Sequence, residues 1–284
     1  MASFLNFRRI GLLYQPELPQ SRVMAAEMLE FIEGLGAAAW VSDSWDDKVI
    51  SNNIKETDLL VVLGGDGSIL RAARLAFGFE AVILGVNQGR LGFLAEVQPS
   101  EWSQRFEQML IGSYWVEERL MIQAAYWRQG RQQGCYDALN EVVVSRDGMA
   151  RVIRLETSIN ESYLTTYTAD GMILSTPTGS TAYALAAGGP ILPPGLKNIL
   201  IIPVAPHLSL ERAIVLSEGD RVKVVINTDH QAVLSVDGQF NVELADGDMV
   251  EVSAGDKVSR FLRLQERTYF YKTLMQRLGW PQNR

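Results

Sequence analysis

Asp58-Leu59-Leu60-Val61-Val62-Leu63 is an aliphatic run that ends abruptly in Gly64-Gly65-Asp66-Gly67-Ser68. Successive side chains of a strand point to opposite faces, so a strand that is apolar at consecutive positions must be covered on both sides. Helices packed on both faces of a parallel sheet do this; a sheet with one wet face does not. The flanking segments agree. Arg9-Ile10-Gly11-Leu12-Leu13-Tyr14 and Ala81-Val82-Ile83-Leu84 read as two more buried strands. Ala25, Met28, Leu29 and Ile32 fall at helical spacing, with Gly34 where a C-cap belongs. Ile69 to Phe77 reads as a helix, and Trp102, Phe106 and Met109 mark another after Pro99. Residues 1–115 are therefore expected to form an α/β, Rossmann-like domain on a parallel sheet.

Beyond residue 115 the pattern changes to short strands. Leu120–Trp127, Asn140–Ser145, Arg151–Ile159, Tyr163–Ala169 and Gly171–Ser175 are strand-like. So are Ile199–Val204, Arg221–Asn227, Ala232–Val236, Phe240–Leu244, Met249–Ala254 and Ser259–Leu264. Asp147-Gly148, Asp237-Gly238 and Asp246-Gly247 supply turns between them. Only Ser180–Ala187 and Tyr269–Leu278 look helical here. Residues 116–264 are expected to form a β-rich domain, a sandwich, with the terminal helix within 265–284 packing back on the first domain. The halves are not separated by a Pro/Ser-rich linker.

Composition removes several function classes. Lys and Arg number 26 against 33 Asp and Glu, a formal charge of −7. A protein that coats nucleic acid gains its affinity by neutralising phosphates and has the opposite balance. Most of the acidic excess lies in the first 120 residues. Phosphate binding there must use backbone amides or a metal ion instead of a basic field. Cys135 is the single cysteine, so neither an internal disulfide nor a thiolate zinc cluster can form. The longest uncharged stretch, Gly171 to Leu196, could span a bilayer by length. Its four prolines and five glycines would leave too many backbone groups unsatisfied in lipid. No signal peptide is visible, and a cytoplasmic protein without membrane partners is expected. Gly-Lys, G-x-S-x-G and the third glycine of a dinucleotide fingerprint, at Leu70, are all missing. His207 and His230 are not at metal-ligand spacing.

Four segments remain as candidates for chemistry. Gly64, Gly65 and Gly67 let the backbone turn tightly beside a helix N-terminus, which favours anions. Asp66 fits a proton acceptor for an attacking hydroxyl, or a magnesium ligand, and Ser68 adds a hydroxyl. The plainer alternative is a tight turn with Asp66 as N-cap. Ala169 to Tyr183 runs from a short strand into a Thr/Ser/Gly loop in which Ser180 or Thr181 could cap a helix near Ala182. Small residues there admit a flat ligand such as adenine, and Tyr183 offers a stacking face; otherwise it is a capped turn. Asn140-Glu141 at a strand entry could hydrogen-bond a vicinal diol, or be a solvated strand end. Gly85 to Leu94 has three glycines in eight positions after a parallel strand, where open α/β sheets bind ligands, though an ordinary loop would read the same. Asp237-Gly238-Gln239 reads as a hairpin turn. The basic tail (Arg260, Arg263, Arg267, Lys272, Arg277) reads as the wet face of a terminal strand and helix.

Together these segments resemble the bacterial NAD kinase family. The resemblance rests on Gly64 to Ser68, the Asn87 to Leu94 loop including Phe93, Asn140-Glu141, Asp170 to Pro190, Pro206-His207 with Ser209, and Asp237-Gly238-Gln239. They stand in the family's order over residues ~60–240, and the Asp170 to Pro190 segment is the most specific. The resemblance implies an N-terminal α/β domain with a C-terminal β-sandwich, shared with diacylglycerol kinases. It implies transfer of the γ-phosphoryl group of ATP, or of polyphosphate in some members, to the 2′-hydroxyl of the adenosine ribose of NAD, giving NADP. A divalent metal, usually Mg2+, and a homodimer or homotetramer are also implied. By resemblance Asp66 accepts the hydroxyl proton, and Gly64, Gly65 and Gly67 cradle phosphates. Asn140 and Glu141 contact NAD and its ribose. Asp170 and Thr181, Ala182, Tyr183, Ala184, Leu185 and Ala186 hold the dinucleotide, and Arg151, Thr168 and Gln239 match other contact positions.

Two departures stand out. The family often has serine where this chain has Ala184 and Ala186, which implies missing hydroxyl contacts, and threonine where it has Ser68. The glycine–aspartate loop alone is also found in lipid kinases and 6-phosphofructokinases. A diacylglycerol or sphingoid-base kinase, and a dinucleotide sensor without catalysis, are the competing readings.

Overall fold

The computed structural model describes residues 7–89, 92–148, 151–207 and 211–279. Arg90 and Leu91 of the Asn87 to Leu94 loop, and Ser209, lie outside them. The chain divides into two compact units, one of Met1–Glu118 with Ser259–Arg284 and one of Arg119–Val258.

The first unit runs β1 (Arg9–Tyr14), α1 (Pro19–Gly34), β2 (Ala38–Asp43), α2 (Asp47–Asn53), β3 (Leu59–Gly64), α3 (Asp66–Ala76), β4 (Val82–Asn87) and α4 (Trp102–Leu110). Its strands pair in parallel in the order β2-β1-β3-β4. All six residues of β3 and all six of β4 are buried, the double-sided cover that the aliphatic run demands. Ile10, Leu12, Met28, Ile32, Leu59, Val61, Leu63, Leu84 and Phe106 belong to one core on this sheet. Pro19 opens α1 at a position that needs no N–H. Gly34 is still helical, Leu35 is the C-cap, and Gly36 takes the left-handed conformation at φ +82°. The C-cap expected at Gly34 is thus displaced, because the left-handed residue comes later.

The second unit holds most of β5 (Trp115–Arg128), then β6 (Arg131–Ala138), β7 (Glu141–Arg146), β8 (Ile153–Ile159), β9 (Ser162–Ala169), β10 (Gly171–Ser175), α5 (Tyr183–Ala186), β11 (Asn198–Val204), β12 (Ile214–Ser217), β13 (Val222–Asn227), β14 (Ala232–Val236), β15 (Phe240–Leu244) and the start of β16 (Met249–Arg263). One antiparallel sheet has the order β12-β11-β10-β7-β14-β15. A second joins β9-β8-β13-β16, with β5 pairing β16 and β6. Strands such as β8, β13 and β14 alternate buried with less buried residues. Their inward side chains, among them Val142, Val144, Leu155, Met172, Val224 and Leu234, make one shared core. This is the β-sandwich. β10 is buried at every position because its outer face is also covered, by Ala184 of α5 with Leu200 and Ile202 around Ile173.

The two strands expected at 249–254 and 259–264 are one strand, β16. Its end returns to the first unit, where Phe261 pairs in parallel with Ile83 of β4, and α6 (Tyr269–Arg277) follows. The uncharged stretch from Gly171 is a strand, a loop and one short helix, and no helix among the described residues is long and apolar enough to cross a membrane.

Candidate active site

In the first unit the site grows from the junction of β3 and α3. Gly64 closes β3 so tightly against the next turn that a Cβ there would lie 2.6 Å from Ser68 Oγ. Gly65 is the N-cap of α3 and offers no side chain, so Asp66 is the first helical residue and not a cap. Its carboxylate reaches instead across 27 residues to the loop after β4. Phe93 N–H donates to Oδ2 at 2.8 Å and Leu94 N–H to Oδ1 at 3.1 Å. The loop can lie this close because residue 92 is glycine: a Cβ there would stand 2.2 to 2.4 Å from the carboxylate atoms. Each oxygen of Asp66 has taken one hydrogen bond and keeps a second lone-pair direction. Gly65 and Gly67 are exposed, have no positive φ, and a Cβ on either would meet nothing within 4 Å. Among the described residues nothing occupies the space that a side chain at these two positions would take. What their missing side chains leave is open space at a helix start that lacks a side-chain cap.

In the second unit a cavity of about 620 Å³ lies over the outer face of β7, β10 and β14. Glu141, Arg146, Asp170, Tyr183, Ser235 and Asn241 are among the residues that line it. Asp237 fixes the start of β7, whose Glu141 lines the cavity. The Asp237-Gly238 turn is left-handed at both residues, φ 49° and 64°, as a tight hairpin between β14 and β15 requires. The Asp237 carboxylate is buried and accepts three consecutive backbone N–H groups, Leu139 at 2.9 Å, Asn140 at 2.8 Å and Glu141 at 3.0 Å. Glu141 therefore enters β7 at a fixed angle. Its Oε2 is buried and accepts no hydrogen bond from the protein. Burial, and then the charge of Asp237, push its pKa up to about 8. Asp170 pairs with Arg146 at 2.8 and 3.1 Å, and the hydrogen bond from Arg146 holds its carboxyl below the usual range. Tyr183 leaves its ring exposed at the cavity.

The chain matches the family model of the ATP-NAD kinase N-terminal domain over residues 2–114 and that of the C-terminal domain over 139–264. It is 40% identical over 272 residues to an NAD kinase of Chloroflexus aggregans, covering 95% of this chain and 98% of that one. An NAD kinase of Dehalococcoides mccartyi is 36% identical, over 94% and 95%.

The chain belongs to the NAD kinase family.

It is thus a kinase, a phosphotransferase, and not a member of the lipid kinases that share its glycine–aspartate loop. The fold is that of solved relatives too. Yeast NADH kinase complexed with NADH superposes with a TM-score of 0.84 at 23% identity, over 98% of this chain and 89% of that one. An NAD kinase from Archaeoglobus fulgidus in complex with ATP gives 0.77 at 23%, over 96% and 100%.

This NAD kinase family chain spends many of the expected ligand groups on itself. Asn87 is buried, and its amide closes its own loop through Gly89 O at 2.9 Å and Gly89 N at 3.2 Å. Gly85 is needed for packing, since a Cβ there would stand 2.6 Å from Ile69. Ser180 and Thr181 do not cap α5; Ala182 is its N-cap, and Ser180–Ala187 is a 3-10 turn followed by a four-residue helix. The Ser180 hydroxyl donates to Pro177 O at 2.7 Å and accepts from Leu192 N at 2.9 Å, while Thr181 donates to Thr178 O. These bonds harden the loop against Asn140, whose carbonyl accepts Thr176 N–H at 2.8 Å and the Ser175 hydroxyl at 3.1 Å. Of the helix residues only Tyr183 lines the cavity: Ala184 is fully buried, Leu185 is half-buried and Ala186 is exposed. Ala184 packs with Ile173, Leu200 and Ile202, so a hydroxyl at 184 would face aliphatic side chains. Arg151 pairs with Asp229 in the open, Thr168 offers its carbonyl to His207 N–H at 2.7 Å, and Gln239 completes the hairpin. None of these three lines the cavity.

Of the basic tail, Arg267 and Lys272 are exposed as expected, but Arg263 and Arg277 are not a wet face. Arg263 is fully buried and donates to Glu117 at 2.8 Å, Glu96 at 3.1 Å and Leu94 O at 3.1 Å. Arg277 donates to Phe93 O at 2.9 Å and covers the Phe93 ring. Arginine spaced along a terminal strand and helix carries no local sign of this. Sequence reasoning takes Asp237 as a turn residue and as part of the segment that carries the resemblance, gives it no role of its own, and does not single out Arg146.

Proposed function

We propose that the chain transfers the γ-phosphoryl group of ATP to the 2′-hydroxyl of the adenosine ribose of NAD, giving NADP, with Asp66 as proton acceptor. The observation that carries this reading is the Asp66 carboxylate, oriented by Phe93 and Leu94 N–H and left with one lone-pair direction per oxygen. Such a group accepts a hydrogen bond from an alcohol and takes its proton as the alcohol oxygen bonds to phosphorus. The bond from the γ-phosphorus to the β–γ bridging oxygen breaks, and ADP leaves. Phosphoryl transfer of this kind needs positioning and charge neutralisation more than covalent chemistry, which suits a site without histidine or cysteine.

Gly65 and Gly67 give the phosphates room at the start of α3, and Gly64 lets Ser68 bring its hydroxyl close against the end of β3. Glu141 has an unmet acceptor for ribose hydroxyls, beside Asn140, and Tyr183 has an exposed ring for a base. Asp170, held by Arg146, fixes an edge of the dinucleotide. The solved relatives carry NADH in one case and ATP in another, the two ligand classes this reading needs.

Among the described residues no three His, Cys, Asp or Glu side chains come together as a metal cage. One carboxylate beside an open glycine turn fits a Mg2+ that arrives on the nucleotide phosphates with most of its waters. Asp66 is the carboxylate that would help to hold it, and the ion would supply charge neutralisation for the transferring group. A cytoplasmic homodimer or homotetramer completes the reading, and sedimentation of the purified chain reads the assembly.

The decisive assay offers NAD or NADH with ATP or polyphosphate, with Mg2+ or with a chelator, to wild type and to Asp66→Asn. NADP should form from NAD, ATP and Mg2+. Asp66→Asn should lose roughly 10²-fold or more in kcat while NAD still binds. Equal turnover by the two proteins would remove Asp66 from the mechanism.

A further inference from the structure

The loop segment that grips Asp66 is itself gripped from behind. Phe93 and Leu94 turn their N–H groups to its carboxylate, and their carbonyls point the other way, to two guanidinium groups. Arg277 Nη1 on α6 donates to Phe93 O at 2.9 Å, and Arg263 Nη1 at the end of β16 donates to Leu94 O at 3.1 Å. Tyr269 serves both. Its ring centre lies 5.0 Å from the Arg263 guanidinium and 5.5 Å from that of Arg277, and its hydroxyl donates to Glu117 at 3.0 Å. Glu96 ties the assembly to the chain by accepting Arg263, Leu264 N–H and Gln265 N–H. The Phe93–Leu94 peptide is thus polarised and fixed on both sides, with Arg277 on its oxygen and the Asp66 carboxylate on its hydrogen, while Arg263 holds the next peptide by its oxygen.

We propose that Arg263 and Arg277 are positioning residues for the phosphoryl transfer: through the backbone of Phe93 and Leu94 they hold the Asp66 carboxylate in its working orientation. The C-terminal strand end and helix then set the turnover number without touching either substrate. A short carboxylate that can swing about its own side-chain bonds gains its orientation from the loop, and the loop gains it from the arginines. This inference rests on the assignment of proton acceptance to Asp66.

Arg277 is the residue to test, because it is only half-buried, whereas replacing Arg263 would strand two buried carboxylates. Arg277→Gln should lower kcat about 10-fold, with the KM for each substrate unchanged within about twofold. Arg277→Lys should recover part of the loss, and guanidinium ion should restore part of the kcat of Arg277→Ala. Amide exchange at Phe93 and Leu94 should quicken in Arg277→Gln, with the second unit unaffected. If the arginine acts through Asp66, Arg277→Gln should cost no further kcat in an Asp66→Asn background. An unchanged kcat, a loss carried by KM, or losses that multiply in the double variant would each overturn the proposal. The two readings fail separately. Full turnover by Asp66→Asn ends the proton-acceptor reading, whereas unchanged exchange at Phe93 and Leu94 in Arg277→Gln ends the brace itself.

Discussion

Asp66 and Asp237 use the same device in opposite ways. Each presents its carboxylate to consecutive backbone N–H groups from a distant segment. Asp237 is buried and takes three such bonds, so its acceptor capacity is nearly spent and its work is to shape the entry to β7. Asp66 takes two, sits half-buried at the edge of an open turn, and has capacity left for a ligand. Glu141 completes the contrast. It is buried like Asp237 yet has an oxygen that no protein group meets. A carboxylate saturated by backbone is scaffold, and one held but not saturated is available for chemistry or binding.

The sharpest way to break this contrast is Gly92→Ala. The new methyl would fall 2.2 to 2.4 Å from the Asp66 carboxylate. Since that is the mobile end of a side chain, the fold can survive by turning the carboxylate away. Activity should then fall by about 10²-fold or more, while the thermal midpoint shifts little. A variant that keeps full activity would show that the observed orientation of Asp66 is not the working one.

The pH dependence of Glu141 comes next. Its folded pKa, raised to about 8, lies above the unfolded value. The native state therefore holds a proton that the unfolded chain has lost between about pH 4.5 and 8. The stability contributed by the protonated group is complete below that window and is lost as pH rises through 8. Glu141→Gln should remove this loss, so the variant gains on wild type by on the order of 3 kcal/mol between about pH 5 and 9. Denaturant midpoints at several pH values measure it. Ribose hydroxyls donate to the ionised form, so NAD affinity should rise with pH up to about 8, with release of a proton on binding.

These residues mark where local sequence stops being informative. The β3–α3 junction, β10 and the Asp237-Gly238 hairpin are legible because apolar runs and turn chemistry act over a few residues. β2 is not, since only Ser42 in its six residues is fully buried and its pattern does not alternate. β6, Arg131–Ala138, has a polar face and one buried residue, and β12 is four residues long. The bond from Asp66 to Leu94 and those from Asp237 to residues 139–141 span 28 and up to 98 positions. No periodicity encodes such pairings. Arg263 misleads in the same way. Charged side chains are almost never buried unless paired, and its partners, Glu96 and Glu117, are 167 and 146 residues away.

Asp237→Asn tests the scaffold side of the comparison. One acceptor oxygen is lost, and an amide donor now faces a backbone donor. Destabilisation of about 2 kcal/mol is expected by denaturation. Removal of that charge should also bring the Glu141 pKa down, because Asp237 is its second cause. Loss of activity without loss of stability would move Asp237 from scaffold to ligand contact.

The smallest effect separates two adjacent residues of α5. Ala184 is fully buried among Ile173, Leu200 and Ile202, while Tyr183 beside it is exposed at the cavity. Ala184→Ser places a hydroxyl among aliphatic side chains. Stability should fall by about 1 kcal/mol with the KM for NAD unchanged. Tyr183→Ala should do the reverse, leaving stability alone and raising that KM several-fold if the ring stacks on a base. A change in KM from the serine would mean that position 184 faces the ligand after all, and that the loop opens further than its hydrogen bonds to Ser180 and Asn140 allow.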